Sequence, residues 1–98
     1  MDIKISSVHF DADKKLIEFI NKKVTKLVKF YEEIIGAEVV LKLENTQELE
    51  NKISEIKLSI PGNDLFAKKQ AKTFEEATDE AIDALRVQID KRKGKTRG

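Results

Sequence analysis

The most constraining feature of this sequence is the long amphipathic segment that closes it, residues 74–93. Its small or apolar side chains recur at helical spacing, at Phe74, Ala77, Thr78, Ala81, Ile82, Leu85 and Ile89. At about 100° per residue these positions form one stripe of a helix. Thr73 and Glu76 have capping-box spacing, which predicts where this helix begins. Because such a helix must bury its stripe, the rest of the chain has to supply an apolar surface.

A second segment with helical periodicity runs from about residue 14 to Tyr31. Its apolar face consists of Leu16, Ile20, Val24, Leu27, Val28 and Tyr31. Asp13 precedes the segment, and we expect its carboxylate to accept a hydrogen bond from a free backbone N–H in the first turn. We expect Gly36 to end this helix and to separate it from the second strand.

Lysines occupy the opposite face of the first helix. Lys15, Lys22, Lys26 and Lys29 fall within about 60° of one another, and we call them the lysine stripe. Phe19 and Phe30 lie on the flank between the two faces. A solvated polar face is the ordinary explanation, but exposed helices usually mix both signs of charge to form i,i+4 pairs.

Four segments have the alternation of strands, at residues 2–8, 37–44, 52–60 and 65–72. Residues 61–64, Pro-Gly-Asn-Asp, predict a turn between the last two strands. The order β-α-β-β-β-α favours a parallel first pair of strands. We therefore expect an α+β fold like that of double-stranded RNA-binding domains, with two helices on one face of a four-stranded mixed sheet. Residues 1–98 form one domain, and we expect residues 94–98 to be mobile.

The net charge of +1 conceals separate charged patches. Residues 75–83 contain five acidic side chains and no basic one, whereas residues 86–97 contain six basic side chains and a single acid, Asp90. This gradient complements the helix dipole, which explains much of it. It does not explain Lys95 and Arg97, which lie beyond the predicted helix. Basic patches on both helices therefore favour a polyanionic partner.

Other classes of function find little support. The chain has no cysteine, and its four glycines are separated, so thiolate metal sites and a phosphate-binding loop are excluded. The single histidine, His9, has no catalytic partner nearby in sequence, and we interpret it as an ordinary residue at a strand end. We expect a cytoplasmic protein that has no enzyme activity, cofactor, bound metal or membrane partner.

The expected polyanion is structured RNA, which proteins recognise largely by shape and phosphate position. Residues 68–72, Lys-Lys-Gln-Ala-Lys, match a run in the second helix of double-stranded RNA-binding domains. Here, however, the next helix starts only at Thr73, so the run belongs to a strand. A general binder of duplex RNA remains one alternative, and a protein-interaction module that modulates a sigma factor is another.

A resemblance covers nearly the whole chain. It is carried by ADKKLIEFINKKVTKLVKFY at residues 12–31, VVLKLE at 39–44 and AIDALRVQIDKRKGK at 81–95. These stretches resemble the short ribosome hibernation-promoting factors, also called ribosome-associated inhibitors or sigma-54 modulation proteins. The resemblance implies binding in the decoding channel of the small ribosomal subunit, where messenger and transfer RNA are blocked in idle cells. It also associates the short form with ribosome dimers and a separate ribosome modulation factor, and we expect the free protein to be a monomer.

The resemblance also suggests which side chains contact ribosomal RNA. Lys23 and Lys26 match basic positions of the family in the first helix, and Lys91 and Lys93 match them in the last. Helical geometry adds Lys22, Lys29, Arg86 and Arg92 to the same surfaces. The sequence departs from the family pattern in having Thr73-Phe74-Glu75 at the helix start. It also has Val87 directly before Gln88, where the family often has arginine.

Overall fold

The structure is a computed structural model that describes residues 2–44 and 46–97, without the side chains of residue 2 and residues 92–97. Its elements are β1 (Asp2–Val8), α1 (Lys14–Phe30), β2 (Gly36–Leu43), β3 (Lys52–Ile60), β4 (Asn63–Ala71) and α2 (Phe74–Arg97). The α+β class and the order β-α-β-β-β-α are therefore confirmed.

The strands form a mixed sheet in the order β1-β2-β3-β4. β1 and β2 are parallel, as the crossover predicted, and the two remaining pairs are antiparallel. One row of the register shows the buried face: Ile5 lies beside Val39, Val39 beside Ile56, and Ile56 beside Ala67. Three of these side chains are buried and Ile5 is half-buried, so the alternation in each strand produces a continuous apolar surface.

Both helices cover that surface with the predicted stripes. On α1 the buried residues are Leu16, Ile20, Val24, Leu27 and Val28, as the periodicity predicted. α2 lies across β3 and β4 with Leu85 and Ile89 fully buried, and α1 lies beside it toward β1. Full burial of one such side chain contributes roughly 1.5–3 kcal/mol, so this layer supplies much of the stability.

The two helices run in the same direction. Lys23 of α1 contacts Asp79 of α2, and seven residues further along both helices Phe30 contacts Arg86. Tyr31, the C-cap of α1, then meets Asp90. Since α2 continues to Arg97, it extends about 10 Å past the end of α1.

Several element boundaries differ from the prediction. α1 ends at Phe30, with Tyr31 in extended conformation, and Gly36 is the first residue of β2 rather than the residue that ends the helix. α2 ends at Arg97 instead of Lys93, so the prediction that residues 95 and 97 lie beyond the helix was wrong. Nothing in the predicted capping pattern marked that later end. The mobility expected for residues 94–98 stays a prediction.

The connection between β3 and β4 is shorter than predicted. Ile60 pairs with Asn63, so only Pro61 and Gly62 form the turn, while Asn63 and Asp64 belong to β4. Proline restrains the backbone at the first central position, and Gly62 has a φ of 82°, a combination typical of a type II turn. The Lys-Lys-Gln-Ala-Lys run at residues 68–72 lies in β4 as far as Ala71. It is therefore not part of a helix.

Candidate nucleic-acid interface

The lysine stripe lies on the exposed side of α1. The backbone N–H of Leu16 donates to Asp13 Oδ1 at 2.8 Å, so the predicted N-cap begins the helix. Because the apolar face packs on the sheet, Lys15, Lys22, Lys26 and Lys29 are all exposed. Lys22, Lys26 and Lys29 form no salt bridge with any described side chain. Their charges therefore remain available to an external anion.

A shallow depression follows this side of α1. Its volume is about 640 Å³, and it is lined by Glu18, Asn21, Lys22, Thr25, Lys26, Lys29 and Phe30. All of these residues belong to one helix, so no second element in the described part of the chain closes over the depression. Ligand pockets for small molecules enclose most of the ligand, which this surface cannot do. The arrangement suits contact with an extended backbone of phosphates.

Lys23 lies at the junction of the two helices rather than within the lysine stripe. Its Nζ is 3.4 Å from Asp79 Oδ1, and the two side chains are 45% and 50% exposed. The same Nζ lies 5.6 Å from the centre of the Phe19 ring. Asp79 therefore partly neutralises the cation, although an exposed pair of this kind contributes only about 0.2–1 kcal/mol and weakens with salt.

Arg86 also lies between the helices. Its guanidinium carbon is 5.9 Å from the centre of the Phe30 ring, and the residue is half-buried. The Nε atom is buried without a hydrogen-bond partner among the described residues. Arg86 is thus held against α1, near the C-terminal end of the lysine stripe.

A hydrogen bond next to Arg86 joins the helices at the end of α1. The Tyr31 hydroxyl donates to Asp90 Oδ1 at 3.2 Å. Burial raises the pKa of the Tyr31 hydroxyl, and the nearby Asp90 carboxylate raises it further. Both effects disfavour the phenolate, so the hydroxyl remains a donor at neutral pH.

The remaining predicted contacts lie elsewhere on α2. Lys91 is exposed and lies about 140° around the helix from Arg86, since it comes five positions later. That position is closer to Gln88, whose Nε2 donates to the backbone oxygen of Phe66 in β4 at 2.9 Å. Lys91 therefore lies on the β4 side of α2, away from α1. The side chains of Arg92 and Lys93 lie outside the described residues.

The structure thus brings Lys22, Lys26 and Lys29 together and places Arg86 at their C-terminal end. It holds Lys23 against Asp79 and separates Lys91 from the group. The acidic positions of α2 begin with Glu75 and Glu76 in its first turn, at the end remote from Arg86. The grouped lysines therefore lie along the C-terminal half of α1, with Arg86 of α2 beside its end.

Phe30 belongs to this surface, although the sequence pattern did not single it out. Its side chain is 69% exposed although the residue follows the buried Val28 by only two positions. Its position on the flank between the apolar face and the lysine face of α1 was the feature of the sequence that could have predicted this exposure. The open face of the sheet carries a second exposed ring, Phe66, which is 50% exposed.

Features of other functional classes are few. Within the described residues, no group of three or more histidine, cysteine, aspartate or glutamate side chains could hold a metal ion. His9 follows β1, is exposed and has a φ of 70°. Neither helix has an apolar stretch, in its described part, that is long enough to cross a membrane.

The fold and this surface define a class of small α+β domains that pack two parallel helices on a four-stranded sheet and expose lysines on one helix. Residues 3–97 match the family described as sigma 54 modulation protein / S30EA ribosomal protein. Because this match covers nearly the whole chain, the chain belongs to that family.

Curated relatives are similar over the same extent. The chain is 30% identical to a ribosome hibernation promoting factor of Salmonella typhimurium over 95 residues, covering 97% of this chain and 96% of that protein. A ribosome hibernation promoting factor of Pseudomonas putida is 27% identical over 95 residues, covering 97% of this chain and 89% of that protein.

Solved structures support the fold. A ribosomal subunit interface protein from Coxiella burnetii superposes with a TM-score of 0.82 at 21% identity, covering 96% of this chain and 99% of that one. The N-terminal domain of Protein Y from Thermus thermophilus has a TM-score of 0.77 at 23% identity, covering 93% and 98%. At these identities the comparison concerns the fold alone.

Proposed function

We propose that this chain is a ribosome hibernation factor. In this proposal it binds the decoding channel of the small ribosomal subunit and inhibits translation by occupying the path of messenger and transfer RNA. The observation that carries the proposal is the row of exposed lysines without salt-bridge partners among the described side chains, Lys22, Lys26 and Lys29, on a member of this family. The relatives named as ribosome hibernation promoting factors support the ribosome as the partner.

The proposed contact is electrostatic. Each lysine that neutralises an RNA phosphate releases condensed counterions, so binding becomes tighter as salt falls. Lysine ammonium groups act as point charges and need no enclosed pocket, which suits the open depression along α1. Recognition of this kind reads the shape of folded RNA through its phosphates.

α2 contributes a second contact in this proposal. Arg86 lies beside the end of the lysine stripe, and α2 then extends past α1 toward Arg97. Lys91, Arg92 and Lys93 belong to this extension, and we propose that they contact ribosomal RNA at a position separate from the stripe. Two separated contacts would also fix the orientation of the domain in the channel.

The proposed action needs no reaction step. Occupancy of the channel is sufficient for inhibition, so we propose a protein without catalytic residues, metal or cofactor. It would act in the cytoplasm as a monomer when free. A separate ribosome modulation factor would assist any dimerisation of the bound ribosomes.

Co-sedimentation with purified bacterial small ribosomal subunits tests this proposal. A triple variant, Lys22→Gln, Lys26→Gln and Lys29→Gln, should lose most binding at moderate salt. The matched control is Lys4→Gln, Lys57→Gln and Lys72→Gln, which removes the same charge from exposed lysines elsewhere. Equal binding by the two variants would show that the lysine stripe is not the contact surface.

Three further measurements separate the alternatives. Inhibition of messenger and transfer RNA binding to the subunit tests occupancy of the channel. A gel shift that shows an affinity for plain duplex RNA comparable to the affinity for the subunit would favour a general duplex binder instead. A partner retained after nuclease and high salt would favour a protein-interaction module.

A further inference from the structure

Phe30 is the most exposed aromatic side chain in the part of the chain that the structure describes, at 69%. It is the last residue of α1, and its neighbour Tyr31 is buried. Leaving a phenylalanine in water forgoes part of its burial free energy, although single exposed apolar residues are common on protein surfaces. Exposure by itself therefore indicates nothing, and the surroundings of the ring decide its meaning.

Those surroundings are aromatic and cationic. The Tyr31 ring lies edge-on to Phe30, with ring centres 5.2 Å apart at 64°, and the Arg86 guanidinium lies 5.9 Å from the ring centre. Lys26, one turn earlier on α1, and the adjacent Lys29 line the same depression as the ring. The ring is thus restrained by two neighbours and flanked by lysines that have no salt-bridge partners among the described side chains.

We propose that Phe30 is a stacking platform for one unpaired base of the RNA that the lysine stripe binds. This inference rests on the proposed function. The lysines contact only phosphates, and Phe30 adds a contact to a base. The exposed part of the ring accepts the face of a base, while Lys26 and Lys29 bind the phosphates of the same nucleotide and its neighbour. Aromatic faces and cations combined in this way hold single-stranded nucleic acid with little preference for sequence.

The other exposed ring in a basic setting lacks this arrangement. Phe66 lies opposite Lys57 on the open face of the sheet, and Lys68 stands two residues along β4. The Glu55 carboxylate, however, lies 3.0 Å from Lys42 Nζ and 4.0 Å from Lys68 Nζ, which neutralises much of the charge there. Phe66 is therefore a matched control: an exposed phenylalanine outside the proposed RNA surface.

The first experiment compares Phe30→Leu with Phe66→Leu in binding to bacterial small ribosomal subunits. Leucine keeps an apolar side chain but removes the flat aromatic face. Phe30→Leu should weaken binding about 5- to 100-fold, and Phe66→Leu should change it less than about twofold. Thermal unfolding of both variants shows whether each one folds normally, as expected for changes at exposed positions.

The second experiment uses fluorescence. The chain contains no tryptophan, so the variants Phe30→Trp and Phe66→Trp each carry one reporter. Phe30→Trp should bind subunits at least as well as the unmodified chain, and its fluorescence should be quenched on binding because the indole stacks on a base. Phe66→Trp should bind without quenching.

The outcomes separate this inference from the proposed function. If the lysine-stripe variant loses binding while Phe30→Leu binds normally and Phe30→Trp is not quenched, the stacking inference is wrong and the proposed function stands. If the unmodified chain does not bind subunits at all, the proposed function is wrong, and the stacking inference falls with it.

Discussion

The hydroxyl group of Tyr31 donates a hydrogen bond to Oδ1 of Asp90 at a distance of 3.2 Å. Tyr31 is the C-cap of α1, and Asp90 follows Ile89, a fully buried residue of α2. The bond therefore joins the two helices at the point where α2 extends past the end of α1. It also lies beside Arg86 and Phe30, so it helps to position the proposed RNA surface.

Replacing Tyr31 with phenylalanine should lower the free energy of unfolding by about 1 kcal/mol, because one partly buried hydrogen bond is lost while the ring remains. Urea unfolding measures this change as a lower midpoint with an unchanged slope. Thr25→Val is the control, since the Thr25 hydroxyl makes an exposed 3.4 Å contact with Asn21 rather than a partly buried one between helices. An effect of Tyr31→Phe no larger than that of the control would show that the bond contributes little.

Tyr31 should also make stability depend on pH in the alkaline range. Its pKa in the folded chain is raised above the ordinary value of 10.0, first by burial and then by Asp90. The folded state therefore retains the proton more strongly than the unfolded state. The stabilisation is complete below about pH 10 and is lost as pH rises through the folded pKa. Urea unfolding between about pH 8 and 11 should show a steeper fall for the unmodified chain than for Tyr31→Phe, and parallel curves would contradict this assignment.

Asp79→Asn should strengthen binding to small ribosomal subunits a few-fold. The substitution removes the carboxylate 3.4 Å from Lys23 Nζ, which leaves that cation free to contact phosphate. Stability should fall by less than about 1 kcal/mol, because the pair is exposed. The matched control is Glu48→Gln, which removes the same charge from an exposed position in the loop before β3. If both variants gain the same affinity for subunits at several salt concentrations, the gain comes from the change in net charge and not from the release of Lys23.

Substitutions at the buried pair Thr78 and Ser54 should have strongly non-additive effects on the free energy of unfolding. The Thr78 hydroxyl donates to Ser54 Oγ at 3.1 Å where α2 crosses β3, and both residues are fully buried. Ser54→Ala leaves the threonine hydroxyl without this acceptor. It should lower the free energy of unfolding by about 1–3 kcal/mol. Thr78→Val combined with Ser54→Ala should recover part of that loss, because no hydroxyl is then left unpaired. Additive effects in this double-mutant cycle would show that the bond does not couple the two residues.

Local patterns predicted the secondary structure well. The helical periodicity of α1 identified its buried residues, from Leu16 to Val28, and Asp13 as its N-cap. The alternation of β3 predicted its bounds, Lys52–Ile60, because the two faces of a strand differ in solvation at every step. The start of β4 and the end of α2 were predicted less well. The turn needed only Pro61 and Gly62, and a basic helix end carries no strong stop signal.

The proposed site was predicted less completely than the fold. Exposure of Lys22, Lys26 and Lys29 followed from the periodicity of a single helix, whereas the surroundings of Lys23 and Arg86 depend on both helices. Arg86 reaches Phe30 at the end of the lysine stripe, so it lies on the same surface as the stripe. Lys91 lies on the β4 side of α2 instead.

Short-range patterns along the chain were enough to define the six elements, their buried faces and the exposed lysine stripe, because each depends on side chains only a few positions apart. The packing of both helices on one sheet sets their parallel register, which pairs Lys23 with Asp79, Phe30 with Arg86 and Tyr31 with Asp90. The partners in each pair are at least 56 residues apart in the chain. Periodicity within one segment specifies which face is buried, but not how far one helix is shifted along another.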